Sequence, residues 1–418
     1  MTTLPFKQLW RSIALSNFTD GSQKVFLPFV ALSLAISPSD VAYVFTFLTL
    51  GWPLFGLLSG VIVDRLQMSS MPFWCHFVRS LLFVYLALVA HYGQIGLYHL
   101  YFAAFIFGLF DVLFEVSLPK LVLELTTDEN RVRSNTRLAV THTICSEFLG
   151  PVLGSTLSLF NPVLGLSVIA LFYTASAGML KFLLIGQPRT AHEHRPRQPI
   201  LSSLIEPVIW LLGNRVLIML ALVGFAMSLS WGAWLSLEPY YLIEVSPQTL
   251  TKVEFGFMMA VLAGGAVCAA LLFERIQINK NNLPLLFVDA TGIIALLLAS
   301  SFTKNPFFVG TALFLTGIGA TIWSSIVITM RQELVPRHLL GGVNGFFRVI
   351  VYGGLPAGSF IGGMLADRLS IPSSYIAIAA ISAVLSPFIL FAHWQRRKQA
   401  CEVTLFQQEA CRKNGSFH

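Results

Sequence analysis

The stretch FFVGTALFLTGIGATIWSSIVITM, residues 307–330, decides how the rest of the chain is read. It holds no Asp, Glu, Lys or Arg over its whole length. As a helix rising about 1.5 Å per residue it would reach roughly 36 Å, enough to cross a hydrocarbon core of about 30 Å. Lipid offers no partner for backbone N–H and C=O groups, so only helices and closed barrels can cross it. A barrel strand would alternate apolar and polar residues over about 10 positions. This stretch is solidly apolar, so it reads as a membrane helix.

Working outward, similar runs recur along all 418 residues. The composition agrees: 55% of the chain is hydrophobic and 11% charged, with a mean hydropathy of +0.73, where soluble domains carry about 25% charged residues. We expect spans at 12–35, 40–63, 72–91, 97–118, 135–160, 163–185, 212–243, 254–273, 283–301, 307–330, 343–366 and 372–392. Short turns with Pro or Gly join them, such as SPSD (37–40) and FNPVLG (160–165). The longest polar interruption is GQPRTAHEHRPRQP (186–199). The expected organisation is a first six-helix bundle over 1–185, a linker loop over 186–211, a second bundle over 212–392 and a tail over 393–418.

Lys and Arg set the orientation. If the N-terminus is cytoplasmic, twenty-one of the 27 fall on the cytoplasmic side and three on the other. Both termini are therefore expected inside an inner or plasma membrane. The same asymmetry accounts for the net charge of +7, which removes the reason to invoke nucleic acid. The five cysteines are scattered without a CxxC pair, so neither a disulfide framework nor a metal site is expected. The start, MTTLPFKQLWRSIALSNF, lacks the apolar core and small-residue cleavage site of a signal peptide.

The two halves look distantly repeated. DENRVRSNTRLAV (128–140) is followed by GPVLG, and VPRHLLGGVNGFFRVI (335–350) by GLPAG. Related six-span halves with a site between them are a secondary-transporter architecture. At this point the sequence resembles the major facilitator superfamily. SGVIVDRLQM (59–68) matches the family's loop motif at Gly60, Asp64 and Arg65, while Gln67, Met68 and Ser69 depart from its basic tail. The resemblance implies a gating pair that breaks as the halves rock; the plainer reading is a solvated helix end. SEFLGPVLG (146–154) matches the family's export-type motif at Gly150, Pro151 and Gly154, with Ser146 in place of the first Gly. Small residues there also suit ordinary close helix packing. GGMLADRL (362–369) looks like the loop motif but ends on the opposite face, so Asp367 and Arg368 are given no gating role. LSNFTDG near the start and YGGLPAGSFIGGMLAD (352–367) look closest to the branch of bacterial siderophore and drug exporters. The resemblance implies an all-α polytopic membrane protein of twelve helices in two pseudo-repeated six-helix bundles, acting without a cofactor on a small-molecule substrate, with protons, as a monomer in the bilayer.

Ionisable residues inside spans are costly and mark function or structural pairing. Asp20 and Lys24 are one turn apart on span one and can pair with each other. The run from Val25 to Ile36 is too short to cross alone, so residues 17–24 must lie within the first span, with Asn17, Asp20 and Lys24 on one polar face. Asp111 and Glu115 put two like charges one turn apart on span four, the arrangement a proton carrier uses, although Arg79 could neutralise one. Glu147 stands in span five without an evident partner, a further proton-site candidate. Asp289, alone in span nine, is expected to make a structural hydrogen bond. Trp231, Trp234 and Glu238 on span seven and Trp323 on span ten would suit an amphiphilic or ring-bearing substrate. Tyr240 and Tyr241 read as an interfacial belt.

No P-loop, HExxH, GxSxG or His/Cys cluster is present in the sequence, which argues against an enzyme or primary pump. Twelve spans with charges scattered over both halves argue against a channel. The expected function is proton-coupled export of a small amphiphilic molecule, siderophore-like or drug-like, with import of a small polar solute as the alternative on the same fold.

Overall fold

The computed structural model describes residues 4–66, 70–185, 200–242, 251–276, 283–303, 305–336 and 338–397. These build twelve helical spans, as the apolar runs require. Span one is Leu4–Leu32, so residues 17–24 lie inside a helix that starts eight residues earlier than expected. Span two is broken at Leu50 into Pro38–Thr49 and Gly51–Leu66. Spans three and four are Met71–His91 and Leu97–Leu125. Span five is composite: Asp128–His142, a wider π-type turn over Thr143–Leu149, then Gly150–Leu157. Span six is Pro162–Ile185.

Residues 186–199 of the expected linker lie outside the described residues, but its second part is a helix, Ile200–Gly213. Spans seven and eight are Arg215–Tyr240 and Lys252–Ile276. Span nine opens with a tight turn at Leu283–Leu286 and runs on as Phe287–Phe302. Span ten is Pro306–Leu334 and span eleven Leu340–Arg368. Span twelve starts as Ile371–Leu385 and reaches Arg397 after a break.

Ten helices among the described residues are long and apolar enough to cross a membrane. The two spans missing from that set are one and five. Span one carries Lys7, Arg11, Asp20 and Lys24, and span five begins with DENRVRSNTR. Span one is largely buried by protein, whereas span five keeps exposed positions such as Val140 and Ile144.

We call the membrane face that holds the start of span one proximal, and the opposite face distal. Span one packs on spans five and six, and span seven on spans eleven and twelve. The halves meet where span two lies along span eleven and span five along span eight. These contacts gather toward the distal face. The Ser39 backbone N–H donates to Asp367 Oδ1 at 3.1 Å. Thr46 Oγ1 donates to Ser359 Oγ at 2.9 Å, and the Tyr43 and Phe360 rings stack at 5.5 Å. Phe29 meets Phe255 edge-on at 5.7 Å. Asp367, given no role from sequence, thus ties the two halves together.

One continuous apolar core runs through both halves from Phe26 and Val41 to Phe255 and Ala366. The proximal end of the first half has a separate core, built from Leu9, Ile13, Val63, Met71, Cys75 and Phe114 among others. The halves also touch along the second part of span two, where a Cβ at Gly56 would meet Val349 of span eleven.

Candidate functional site

Between the halves lies a cavity of about 660 Å³, walled by residues of nine spans. The first half contributes Asp20, Gln23, Lys24, Thr49, Trp52, Asp111, Glu115, His142, Ser146, Glu147 and Pro151. The second contributes Ser228, Trp231, Met259, Leu262, Asp289, Thr316, Arg348 and Tyr352.

The first charge cluster is built on four helices. Arg79 of span three is fully buried. Its Nη2 lies 2.7 Å from Asp111 Oδ1 and its Nη1 3.4 Å from Asp20 Oδ1. Tyr173 of span six donates its hydroxyl to the same Asp20 oxygen at 2.5 Å. The guanidinium also sits 4.6 Å from the centre of the Phe107 ring, a placement that offsets part of its lost hydration. His76, one turn before Arg79, is fully buried and lies 4.5 Å from the Phe114 ring. Neither of its nitrogens has a hydrogen-bond partner among the described residues.

This corrects the pairing expected from spacing. Asp20 and Lys24 do not pair with each other. Lys24 Nζ lies 3.6 Å from Glu147 Oε1, and Ser146 Oγ donates to the same carboxylate oxygen at 3.4 Å. Glu147 therefore has a partner. The reason is geometric: a 100° advance per residue turns Asp20 toward spans three and six and Lys24 toward span five.

The π-type turn Thr143–Leu149 carries Ser146 and Glu147, and such turns frequently mark functional positions. Gly150 and Gly154 follow it at once. A Cβ at Gly150 would meet Gly21, and one at Gly154 would meet the Ser22 carbonyl. A Cβ at Gly21 would in turn strike the Ser146 carbonyl. The export-type motif is thus the surface on which spans one and five touch backbone to backbone.

Glu115 also borders the cavity. Arg348 of span eleven acts on it electrostatically from the other half, and its guanidinium lies 5.8 Å from the Trp52 ring. Trp52 meets Tyr352 edge-on at 4.9 Å. Trp231 lines the wall and stacks on Trp234 at 5.5 Å.

Four expected cavity residues stand outside its walls. Asn17 is buried in the helix packing of span one. Trp234 is fully buried behind Trp231 and donates Nε1 to Ser300 Oγ at 2.9 Å. Glu238 is fully buried with Trp234 at the distal end of span seven, where it accepts from Ser300 Oγ at 3.0 Å and Tyr375 Oη at 2.8 Å. Trp323 packs against Gly224 and the second-half core. Asn17, Trp234 and Glu238 are enclosed by tight helix packing. Gly60 lies in the second part of span two, and the side chains of Asp64 and Arg65 lie outside the described residues.

Three residues of the wall escape a reading of the sequence. Arg348 is counted with the cytoplasmic basic residues although it lies within the expected span 343–366; span eleven, Leu340–Arg368, carries it two turns inward to the cavity wall. For His142 the sequence suggests only packing. Asp289 is expected to make a structural hydrogen bond; instead it borders the cavity, and no neighbouring charge or hydrogen-bond donor among the described residues acts on its carboxylate.

Comparison with known proteins places this architecture. No curated protein matches the sequence. The crystal structure of the nucleoside transporter NupG superposes with a TM-score of 0.73 at 14% identity, covering 93% of this chain and 99% of that one. A bacterial homologue of the human lysosomal transporter Spinster, inward-facing and unoccupied, gives 0.73 at 11%, covering 94% and 98%. A bacterial homologue of the iron transporter ferroportin, also inward-facing, gives 0.68 at 16%, covering 94% and 99%. At these identities the likeness is one of fold. The family model of the Major Facilitator Superfamily matches residues 9–358. With its twelve spans in two halves around a charged cavity, the chain belongs to the major facilitator superfamily and is a multi-pass membrane transporter, not an enzyme.

Proposed function

We propose that this transporter is a proton-coupled exporter of a small amphiphilic molecule, working by alternating access as a monomer in an inner membrane with both termini cytoplasmic. The observation that carries the reading is the cavity itself: about 660 Å³, placed between the halves and walled by ionisable side chains of both. Its aromatic wall residues Trp52, Tyr352 and Trp231 suit an apolar body. The polar ties between the halves at the distal face support a cavity reached from the face with the basic loops, where an exporter loads.

Three carboxylates are the proton candidates. Asp111 and Glu147 each share a basic partner on another helix, and Glu115 is the one facing a base of the opposite half. A carboxylate that alternates between a cationic partner and a proton couples proton movement to the rocking of the halves. Asp20, Lys24 and Trp231 are the proposed substrate contacts, and Asp64 with Arg65 the proposed gate. Of the substrate kinds implied by resemblance, the drug-like one suits this wall better than an acidic siderophore, because carboxylates outnumber bases around the cavity.

Deletion should raise intracellular accumulation of an exported drug-like compound; unchanged accumulation with abolished uptake would overturn export. Transport by Glu115→Gln, Asp111→Asn or Glu147→Gln with wild-type pH dependence would clear that residue of coupling. Import of a small polar solute is the second reading, favoured by the neutral polar wall of Gln23, Thr49, Ser228 and Thr316.

A further inference from the structure

We infer that Asp289 is a substrate-binding carboxylate that takes the positive charge of a lipophilic organic cation, whose apolar body lies against Trp231, Met259 and Leu262. The inference rests on the reading of the cavity as a transport path and deepens it.

Asp289 is 7% exposed and borders the cavity. No hydrogen bond, ion pair or neighbouring charge among the described residues reaches its carboxylate. A buried carboxylate with no partner is costly, and buried charges are otherwise paired. Two of the basic groups near the cavity are already engaged. Arg79 holds Asp20 and Asp111 and Lys24 holds Glu147, while the Arg348 guanidinium lies 5.8 Å from the Trp52 ring. Of the five carboxylates that line the cavity, Asp20, Asp111 and Glu147 have ion-pair partners, and Asp289 is the one on which no neighbouring charge among the described residues acts.

The position is also fixed. A Cβ at Gly319 of span ten would run into the Asp289 Cα, so span nine is pressed against span ten and the carboxylate has no path of retreat toward it. The same cavity is lined by aromatic, aliphatic and thioether groups, Trp231, Ile293, Met259 and Leu262, together with the neutral Ser228 and Thr316. Among the described residues no group of three or more His, Cys, Asp or Glu could hold a metal ion. A single carboxylate does not meet the six to eight oxygens a calcium ion takes. It does suit a single delocalised or shielded positive charge, with an indole face to receive part of the cation.

Equilibrium dialysis of the purified full chain in detergent tests this with two ions of one shape and opposite charge, tetraphenylphosphonium and tetraphenylborate. The wild type should bind the phosphonium at least about tenfold more tightly than the borate, and Asp289→Asn should lose about tenfold or more of the phosphonium affinity alone. Equal or tighter binding of the borate, or an Asn variant within about twofold of wild type for the phosphonium, overturns the inference. Should that variant fail to fold, carbodiimide labelling of Asp289 in the wild type decides. Phosphonium and not borate should protect it; equal labelling in both overturns the assignment. The two readings fail separately. Phosphonium bound at Asp289 but not moved across proteoliposomes refutes the exporter and leaves this site standing, whereas export of another compound without phosphonium binding refutes this site alone.

Discussion

Replacing Arg79 with Met tests the first charge cluster most sharply. The substitution keeps a long apolar side chain against Phe107 and removes the charge. At an effective dielectric of about 20, unit charges at the 3.4 Å of the Arg79–Asp20 contact attract by about 5 kcal/mol. That gross term offsets the desolvation of both groups. Removing one partner of such a buried pair costs about 3–5 kcal/mol, because the other charge is left stranded. The Asp111 contact is shorter, at 2.7 Å, but the Asp111 side chain keeps 37% exposure. Solvent screening reduces that contact to about 1 kcal/mol. Together the loss should be about 4–6 kcal/mol. Asp20→Asn alone should cost about 1–2 kcal/mol, since Arg79 keeps Asp111 and the Tyr173 hydroxyl keeps an acceptor. In the double variant no carboxylate is stranded at position 20, so the two losses should fall short of additivity by about 2–3 kcal/mol. Urea unfolding in detergent, followed by tryptophan fluorescence, measures all three. A loss under about 1 kcal/mol for Arg79→Met, or additivity within about 0.5 kcal/mol, would refute the claim that Arg79 neutralises Asp20.

Two further outcomes follow from the geometry. Asp367→Ala removes the acceptor that ties the Ser39 backbone N–H across the halves; losing one such bond, about 1 kcal/mol, should raise the population open at the distal face about fivefold. Labelling of a cysteine placed at Thr46 by a membrane-impermeant maleimide reads that change. Glu238→Ala orphans the buried hydroxyls of Ser300 and Tyr375 and should cost about 1–3 kcal/mol, while Glu238→Gln keeps an acceptor and should cost under about 1 kcal/mol. Thermal unfolding compares the two, and neither should change phosphonium binding, because Glu238 stands outside the cavity.

The spans are legible because a run such as 307–330 leaves no other physical solution in lipid. Embedding residues 17–24 is legible for a related reason: Val25–Ile36 is too short to cross alone. The ionisable residues can likewise be named from sequence, but their partners cannot. Spacing on one helix only reveals neighbours on that helix, and it suggests an Asp20–Lys24 pair. The true partners, Arg79 and Glu147, come from spans three and five, and the pairing depends on how helices rotate against one another. Arg348 lies inside the expected span 343–366, but beside the basic, glycine-bearing stretch PRHLLGGVNG it reads as part of the cytoplasmic end, and only the packing of span eleven along span two brings it to the cavity. Asp289 is hidden because its span looks peripheral. The contact that brings it to the wall rests on Gly319, a residue whose absent side chain leaves no pattern.

The glycine seam between spans one and five has a mechanical consequence. With Gly21, Gly150 and Gly154 in backbone contact, the helices bearing Lys24 and Glu147 are locked into a single lever. Arg79, Asp20 and Asp111 belong to the same half and ride on it. However far that lever swings, these pairs travel unstretched. Among the described cavity residues, Arg348 reaches across the swing, its guanidinium 5.8 Å from the Trp52 ring of the other half. The stroke of the machine is therefore felt there, as a cation drawn away from an indole face.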